Sequence, residues 1–278
     1  MSAWPTKYGS HASPSSSGTV VNAGACTLWL RGYLARVFSC ENEAGESLVM
    51  KLSPPIALPE VEAAALRHWD GDGAARLRDF DREAGALLLD RIVPGAPLPP
   101  NDEALAITAA ASVLRRLHAK PPPLDGVIPL MPEALVWWEG LARSEAEPLA
   151  VGTSLLPQAM AAARALAAST SARVLLHGDF LAKNILAAAD GGWVAIDPMP
   201  RIGDPASDIG FFAAGYPGAS ALIERARALA HVLGFDEPRA ARWAAIWAIG
   251  EACETWREDS DELQALVATP EFQRLLDA

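Results

Sequence analysis

The sequence predicts an α+β protein of two lobes, a small β-rich N-terminal lobe and a larger, mainly helical C-terminal lobe. Three observations predict it. Strand-like apolar runs crowd the first part of the chain and helical periodicity dominates the rest, which is the order of an α+β protein rather than of a βαβ alternation. A proline-rich stretch, Pro94, Pro97, Pro99 and Pro100, follows the last early strand pattern and has the composition of a connector. Late in the chain, apolar runs at Ile185–Ala187 and Trp193–Ile196 flank Asp190-Gly191, a dipeptide that favours a tight hairpin turn between helical regions. At 278 residues the chain is long enough for one large domain or two lobes.

Residues 1–18 are rich in Ser, Pro and Gly, lack periodicity, and are expected to be a disordered tail. The N-terminal lobe is assigned to residues 19–93. Within it, apolar runs at Cys26–Leu30 and Ala35–Cys40 predict strands around a bend at Gly32. Glu43-Ala44-Gly45 is a turn signal, and Ser47–Leu52 the next strand. Pro59, favoured in a first helical turn, opens a helix to about Trp69. Glu60 and Glu62 lie in that first turn, where the helix dipole favours acids, and Glu62 shares a face with Leu66 and Trp69, toward the core. Leu87–Ile92 is a buried-strand pattern.

The C-terminal lobe is assigned to residues 94–278. Asn101 is the expected N-cap of an amphipathic helix that ends at His118, ahead of Pro121-Pro122-Pro123. His118 is expected to pack or cap there. Helical patterns recur at about 131–143, 155–168, 220–233, 239–258 and 261–276.

A net charge of −11 excludes nucleic acid as a partner, since its binding needs a basic footprint. The same charge suits a cationic small molecule, or simply aids solubility. No apolar run approaches the roughly 20 residues needed to span a bilayer, so no membrane association is expected. The N-terminus lacks a secretory pattern, which makes a cytoplasmic location the expectation. Three cysteines, Cys26, Cys40 and Cys253, are odd in number and lack metal-ligand spacing, so free thiols are expected.

The chemistry concentrates between Val174 and Gly210. An apolar run leads into His177-Gly178-Asp179, Asn184 follows five residues after Asp179, and a second apolar run delivers Asp197. With Asp190 and Gly191 as a two-residue turn, Asn184 is expected directly across from Asp197, roughly 5 Å apart at Cβ. Two hard oxygen donors at that separation suit Mg²⁺, which keeps few protein ligands and completes its shell with water and phosphate oxygens. Asp179, one short loop away, is placed to orient a hydroxyl or accept its proton. H-x-D-x-x-x-x-N followed by a metal-binding Asp is the phosphoryl-transfer arrangement of kinases, which makes the expected architecture protein-kinase-like.

HGDFLAKN, AIDP and IGDPASDIG together resemble the aminoglycoside phosphotransferase family of small-molecule kinases. WDGDGAARL and GALLLDRIVPG resemble its streptomycin 6-kinase and hydroxyurea-resistance branch. The resemblance implies an ATP- and Mg²⁺-dependent kinase of a hydroxyl on a streptomycin-like aminoglycoside or on hydroxyurea, working as a monomer or homodimer. Relatives of this type commonly open with helical segments before the first strand, which this chain is expected to lack. Lys51 matches the strand lysine that holds the α- and β-phosphates, with Glu62 as its helix partner. Gly32 falls where a nucleotide-covering loop lies, and Leu89 to Ile92, with Asp90, match the adenine-binding hinge. Asn184 and Asp197 match the metal ligands, and His177 a loop-shaping residue. Asp204 and Asp208 are expected to be structural, Asp208 tying its helix to the catalytic loop. Leu181 stands where many relatives carry a second histidine. On the last long helix Trp243, Trp247 and Glu251 share one face with Glu254 beside it. This is either an acidic, aromatic acceptor lining or a core stripe with acids at its rim, with Glu251 and Glu254 as the candidates. Two alternatives stand beside this reading: a metabolic kinase of a sugar or amino-alcohol on the same fold, and a nucleotide-binding module without turnover. Retention of Lys51, Asp179, Asn184 and Asp197 argues against the latter.

Overall fold

The structure, a computed structural model, describes residues 25–31, 35–131, 151–252 and 259–277. The expected tail at 1–18, Gly32, nearly all of the helical pattern at 131–143, Cys253 and Glu254 lie outside them. The chain divides into two compact units, one made of the residues up to Pro59 with Arg78–Asp90, the other of Glu60–Leu77 with the chain from Arg91 onward.

The first unit is a five-stranded sheet in the order β1-β2-β3-β5-β4. Its strands are β1 (Ala25–Arg31), β2 (Arg36–Glu41), β3 (Ser47–Leu52), β4 (Leu77–Asp81) and β5 (Ala86–Asp90). The β2–β3 turn is built by Asn42, whose side-chain oxygen accepts the N–H groups of Ala44 (3.0 Å) and Glu46 (2.9 Å). Cys40, Leu48 and Leu88 form the sheet's buried cluster, with Phe38 and Met50 packed against it. Gly85 is obligatory: at φ +62 a Cβ there would lie 2.3 Å from the Ser53 carbonyl oxygen. The expectation of free thiols fails for two of the three cysteines, because Cys26 and Cys40 are joined in a disulfide. The β1–β2 register places them directly opposite each other, a proximity that counting cysteines does not reveal.

Helix α1 (Pro59–Trp69) spans the predicted residues and, from Glu60 on, belongs to the second unit. Trp69 is fully buried and its indole N–H donates to the Leu117 carbonyl (3.0 Å). Lys120 caps the helix from outside, donating to the carbonyls of His68 (2.9 Å) and Trp69 (3.2 Å). These bonds fasten α1 to the end of α2 (Glu103–Leu117). The N-cap of α2 is Asp102 rather than Asn101, since the Asp102 carboxylate reaches the Leu105 N–H at 3.0 Å. The remaining α-helices among the described residues are α3 (Val151–Ser169), α4 (Ala206–Gly215), α5 (Leu222–Leu233), α6 (Glu237–Ala252), α7 (Ser260–Val267) and α8 (Pro270–Asp277). The single helix expected at 261–276 is therefore two. Pro270 has no N–H to continue the first helix and opens the second, which Thr269 caps by accepting the Phe272 N–H at 3.3 Å.

Helices α4 and α6 meet backbone to backbone at Gly210, where a Cβ would lie 2.6 Å from the Ala244 nitrogen. The buried Arg225 seals the end of α4, donating to the carbonyls of Ala213, Tyr216, Pro217 and Gly218. Two short sheets sit on this helical body. One has the order β6-β8-β9, from β6 (Pro94–Pro97), β8 (Ile185–Ala188) and β9 (Trp193–Ala195). The other pairs β7 (Val174–Leu176) with β10 (Arg201–Gly203). Among the described residues no helix is long and apolar enough to cross a membrane.

Candidate active site

Strands β8 and β9 are one residue out of the predicted register, pairing Ile185 with Ala195, Leu186 with Val194 and Ala187 with Trp193. The turn explains the shift. It has three residues, Ala189-Asp190-Gly191, with Gly191 at φ +80 and the Ala188 N–H bonded to the Gly192 carbonyl at 2.9 Å. Asn184 consequently stands across from Ile196, whose N–H donates to its carbonyl at 2.9 Å. Asp197 comes one residue later and leaves strand geometry at φ +59, a left-handed conformation uncommon for a residue with a side chain. Strand alternation therefore does not decide which way it faces, and its charge is felt by both His177 and Asp179.

The loop after β7 is fixed from below by one carboxylate. Asp208, in the first turn of α4 and 1% exposed, accepts the N–H groups of His177 (2.8 Å) and Gly178 (3.0 Å). Gly178 sits at φ +77, and a Cβ there would lie 2.0 Å from the Met199 carbonyl oxygen, so the loop after Asp197 closes against the peptide before Asp179. The buried His177 imidazole ties the two together. Its Nδ1 accepts the Asp179 N–H (3.3 Å) and its Nε2 bonds the Ile196 carbonyl (3.1 Å), next to Asp197. A nitrogen that accepts and one that donates define a neutral ring. Burial, which lowers the His177 pKa, favours the same form. Trp69 stacks on this ring at 6.4 Å and Phe180 meets it edge-on at 5.5 Å.

Asn184 donates its amide hydrogens to the Asp179 carbonyl and carboxylate, both at 2.9 Å. Burial pushes the Asp179 pKa up to about 6, with Lys183 opposing it, Asp197 adding to it, the Asn184 bond opposing it and Glu251 adding to it. Lys183 was not singled out from the sequence. It is exposed on the short 3-10 turn Ala182–Asn184, between the two residues that the motif names. Its signal was its place inside HGDFLAKN, a cation next to the amide. Glu251, on α6, lies close enough for its charge to reach Asp179, whereas its companion Glu254 is outside the described residues.

The donor set fits a hard divalent cation. With both amide hydrogens of Asn184 spent on Asp179, its side-chain oxygen carries no hydrogen bond among the described residues and is left for a metal. Asp197 supplies an exposed carboxylate, and no group of three acidic, histidine or cysteine ligands competes as a metal site among the described residues.

The other predicted residues fall as follows. Lys51 is half-buried on β3, opposite Val37 and Leu87. Glu62 is buried on α1, with 4% exposure, as its face predicted. Asp90 ends β5 and its carboxylate is bonded by Arg78, and Ile92 follows in the connector. Trp243 is core rather than acceptor lining: fully buried, it donates its indole N–H to Asp204 at 2.7 Å. Trp247 donates to Ser207 (3.1 Å) and meets Phe211 edge-on at 4.6 Å. Asp204 does more than turn the chain. It also accepts from Arg239 (2.6 Å) and from the Ala206 N–H (3.1 Å), clamping the start of α4 to α6.

A carboxylate held by an amide, with a second carboxylate within electrostatic reach, is one part of what phosphoryl transfer to a hydroxyl requires of a protein. The class defined here is a phosphotransferase with an alcohol acceptor. Solved structures share the fold: a choline/ethanolamine kinase family protein from Mesorhizobium loti superposes with a TM-score of 0.67 at 20% identity, covering 92% of each chain. The sequence pattern of the aminoglycoside/hydroxyurea antibiotic resistance kinases matches residues 26–260, and the chain belongs to that family. It is 32% identical to a hydroxyurea phosphotransferase of Kitasatospora aureofaciens over 254 residues, 87% of this chain and 70% of that one. It is likewise 32% identical to a streptomycin 6-kinase of Streptomyces griseus over 218 residues, 72% of this chain and 67% of the other.

Proposed function

We propose that this kinase transfers the γ-phosphoryl group of ATP, with Mg²⁺, to a hydroxyl of a cationic acceptor, streptomycin first and hydroxyurea second. The observation that carries the reading is the Asn184–Asp179 bond, which orients the base and spends the amide hydrogens so that the amide oxygen is left to accept. Asn184 and Asp197 would hold the metal, which when bound neutralises phosphate charge and aligns the transferring group. Asp179 would orient the acceptor hydroxyl and take its proton. Positioning matters more than proton abstraction here, because the transition state is largely dissociative. Lys51, Glu62, Gly32, Asp90 and Ile92 stay assigned to nucleotide binding, and the lobes to residues 19–93 and 94–278. Glu251, whose charge reaches Asp179, is assigned to a cationic group near the acceptor hydroxyl, with Glu254 as its companion. A cytoplasmic location, a monomeric or homodimeric state and no nucleic-acid or membrane partner remain part of this reading, the charge of −11 weighing against nucleic acid.

The test is coupled ADP release over aminoglycosides, hydroxyurea, choline-like amino-alcohols and small polyols, with Asp179→Asn as the blank. Turnover with streptomycin that vanishes in the blank is expected. Turnover only with an amino-alcohol or a sugar would replace the substrate assignment. Nucleotide binding without turnover on any acceptor would overturn the enzyme's proposed chemistry.

A further inference from the structure

Two helices of the second unit open to the surface at one place. Along α4 every residue is buried except Phe211 and Gly215, which are one turn apart and share a face. Along α6 the residues after Arg242 are buried except Trp247, Gly250 and Glu251, again a single face. The two openings are continuous. The Phe211 and Trp247 rings meet edge-on, 4.6 Å apart with 79° between their planes, and the Trp247 indole N–H is held by Ser207, one turn before Phe211. The catalytic loop borders the same opening. Leu181 lies so close to Gly215 that a Cβ there would be 2.1 Å from its Cδ2, and the Leu181 N–H donates to the Asp179 carbonyl at 2.9 Å. Glu251, one turn beyond Trp247, completes the circuit, since its charge is felt at Asp179. Single aromatic rings scattered over a surface need no explanation, but here the half-exposed faces of two otherwise buried stretches of helix coincide beside the base.

We propose that Phe211 and Trp247 are specificity-determining residues of the acceptor site, a fixed aromatic wall on which the acceptor's cation stacks while Glu251 accepts its N–H groups. The inference rests on Asp179 acting on the acceptor hydroxyl. The indole N–H anchor and the edge-on contact set the two rings before any acceptor arrives, so little ordering is left to do on binding. A cation is drawn to an aromatic face, to tryptophan most strongly. A planar guanidinium can lie flat on the ring and fork onto a carboxylate, and it sheds water more readily than a compact ammonium does. On the base side Leu181 has an apolar side chain, so recognition of the acceptor's charge falls to the α6 face.

The experiment compares Trp247→Leu and Phe211→Leu, which keep an apolar side chain without a ring, with Trp247→Phe, which keeps a ring. The probes are streptomycin, which carries guanidinium groups, and kanamycin, whose cations are all primary ammonium groups. Calorimetric titration of the wild type should show streptomycin bound more tightly than kanamycin. Trp247→Leu should weaken streptomycin binding about 10-fold and Phe211→Leu about threefold, with the KM for streptomycin rising in step and the KM for ATP within about twofold. Trp247→Phe should recover most of the loss. Streptomycin binding unchanged in both leucine variants would overturn the proposal, as would kanamycin bound as tightly as streptomycin, a wild type that binds no streptomycin, or a loss explained by the unfolded fraction in a melting curve. The titration needs no turnover. Streptomycin binding that depends on Trp247 in a wild type that phosphorylates nothing would remove Asp179 as base and keep the wall, whereas turnover of streptomycin indifferent to both rings would remove the wall and keep the base.

Discussion

Asp204 and Asp208 stand in the same stretch of chain as Asp179 and Asp197, yet the two pairs are treated oppositely. The first pair is 1% exposed and saturated, each carboxylate taking three donors. Burial alone would raise the Asp208 pKa, but the bond and charge of His118 and the Gly178 amide hold it below the usual carboxylate range. Asp179 is pushed the other way, to about 6, and Asp197 is exposed in a strained backbone conformation. Saturated carboxylates hold the scaffold, and the reaction is proposed for the pair that burial or backbone geometry perturbs.

The comparison breaks most sharply at Asp179. Asp179→Asn should lower kcat/KM by about 10³-fold, within the range for losing a positioned base, and yet keep or raise the melting temperature. Equal loss of fold and activity would put Asp179 with the scaffold pair. The pH dependence carries the same contrast. Because the folded-state pKa of Asp179 is raised from 3.8 to about 6, its contribution to stability is lost as pH rises through that window. In metal-free buffer the asparagine variant should therefore melt about 2–5 °C above wild type at pH 7 and show no advantage below pH ~4. For Asp208, whose pKa is lowered, stability is present above the usual carboxylate range and lost as pH falls through it.

Asp208→Ala should cost about 3–5 kcal/mol, the range for uncovering buried polar groups that lose a charged partner, and show as lost soluble yield, melting temperature and activity together. Full activity with an unchanged melting curve would end its scaffold role. A smaller effect is expected at Glu251. Glu251→Gln should raise the KM for a cationic acceptor about 10-fold, one charge-assisted hydrogen bond, with little change for hydroxyurea, which carries no charge. The smallest effect on activity lies in the first unit. Reducing the Cys26–Cys40 disulfide, which closes a span of 14 residues, should lower the melting temperature by a few degrees, about 3 kcal/mol at most, and leave kcat unchanged.

Much of this was legible in the sequence because short-range chemistry wrote it there. The helix from Pro59 to Trp69, the strands around Ser47–Leu52 and the identity of HGDFLAKN follow from local pattern. What the sequence hid is long-range or hinges on one residue of slack. Asp190-Gly191 signals a turn but not its length, and the third loop residue moved the register by one. Trp243 follows the same spacing as a pocket wall, and only the approach of Asp204 makes it core. His118 and Asp208 lie 90 residues apart, and no local pattern joins them.

The contact at Gly210 has a bearing on how such a kinase changes its diet. With no side chain between them, α4 and α6 cannot slide past one another, and any methyl added at that crossing would force them apart. The spacing from the Asp208 anchor to Glu251 is thereby locked like the pitch of a screw. If Glu251 meets the acceptor as proposed, new acceptors would be accommodated by exchanging residues along α6 beyond the crossing, not by shifting the helix itself.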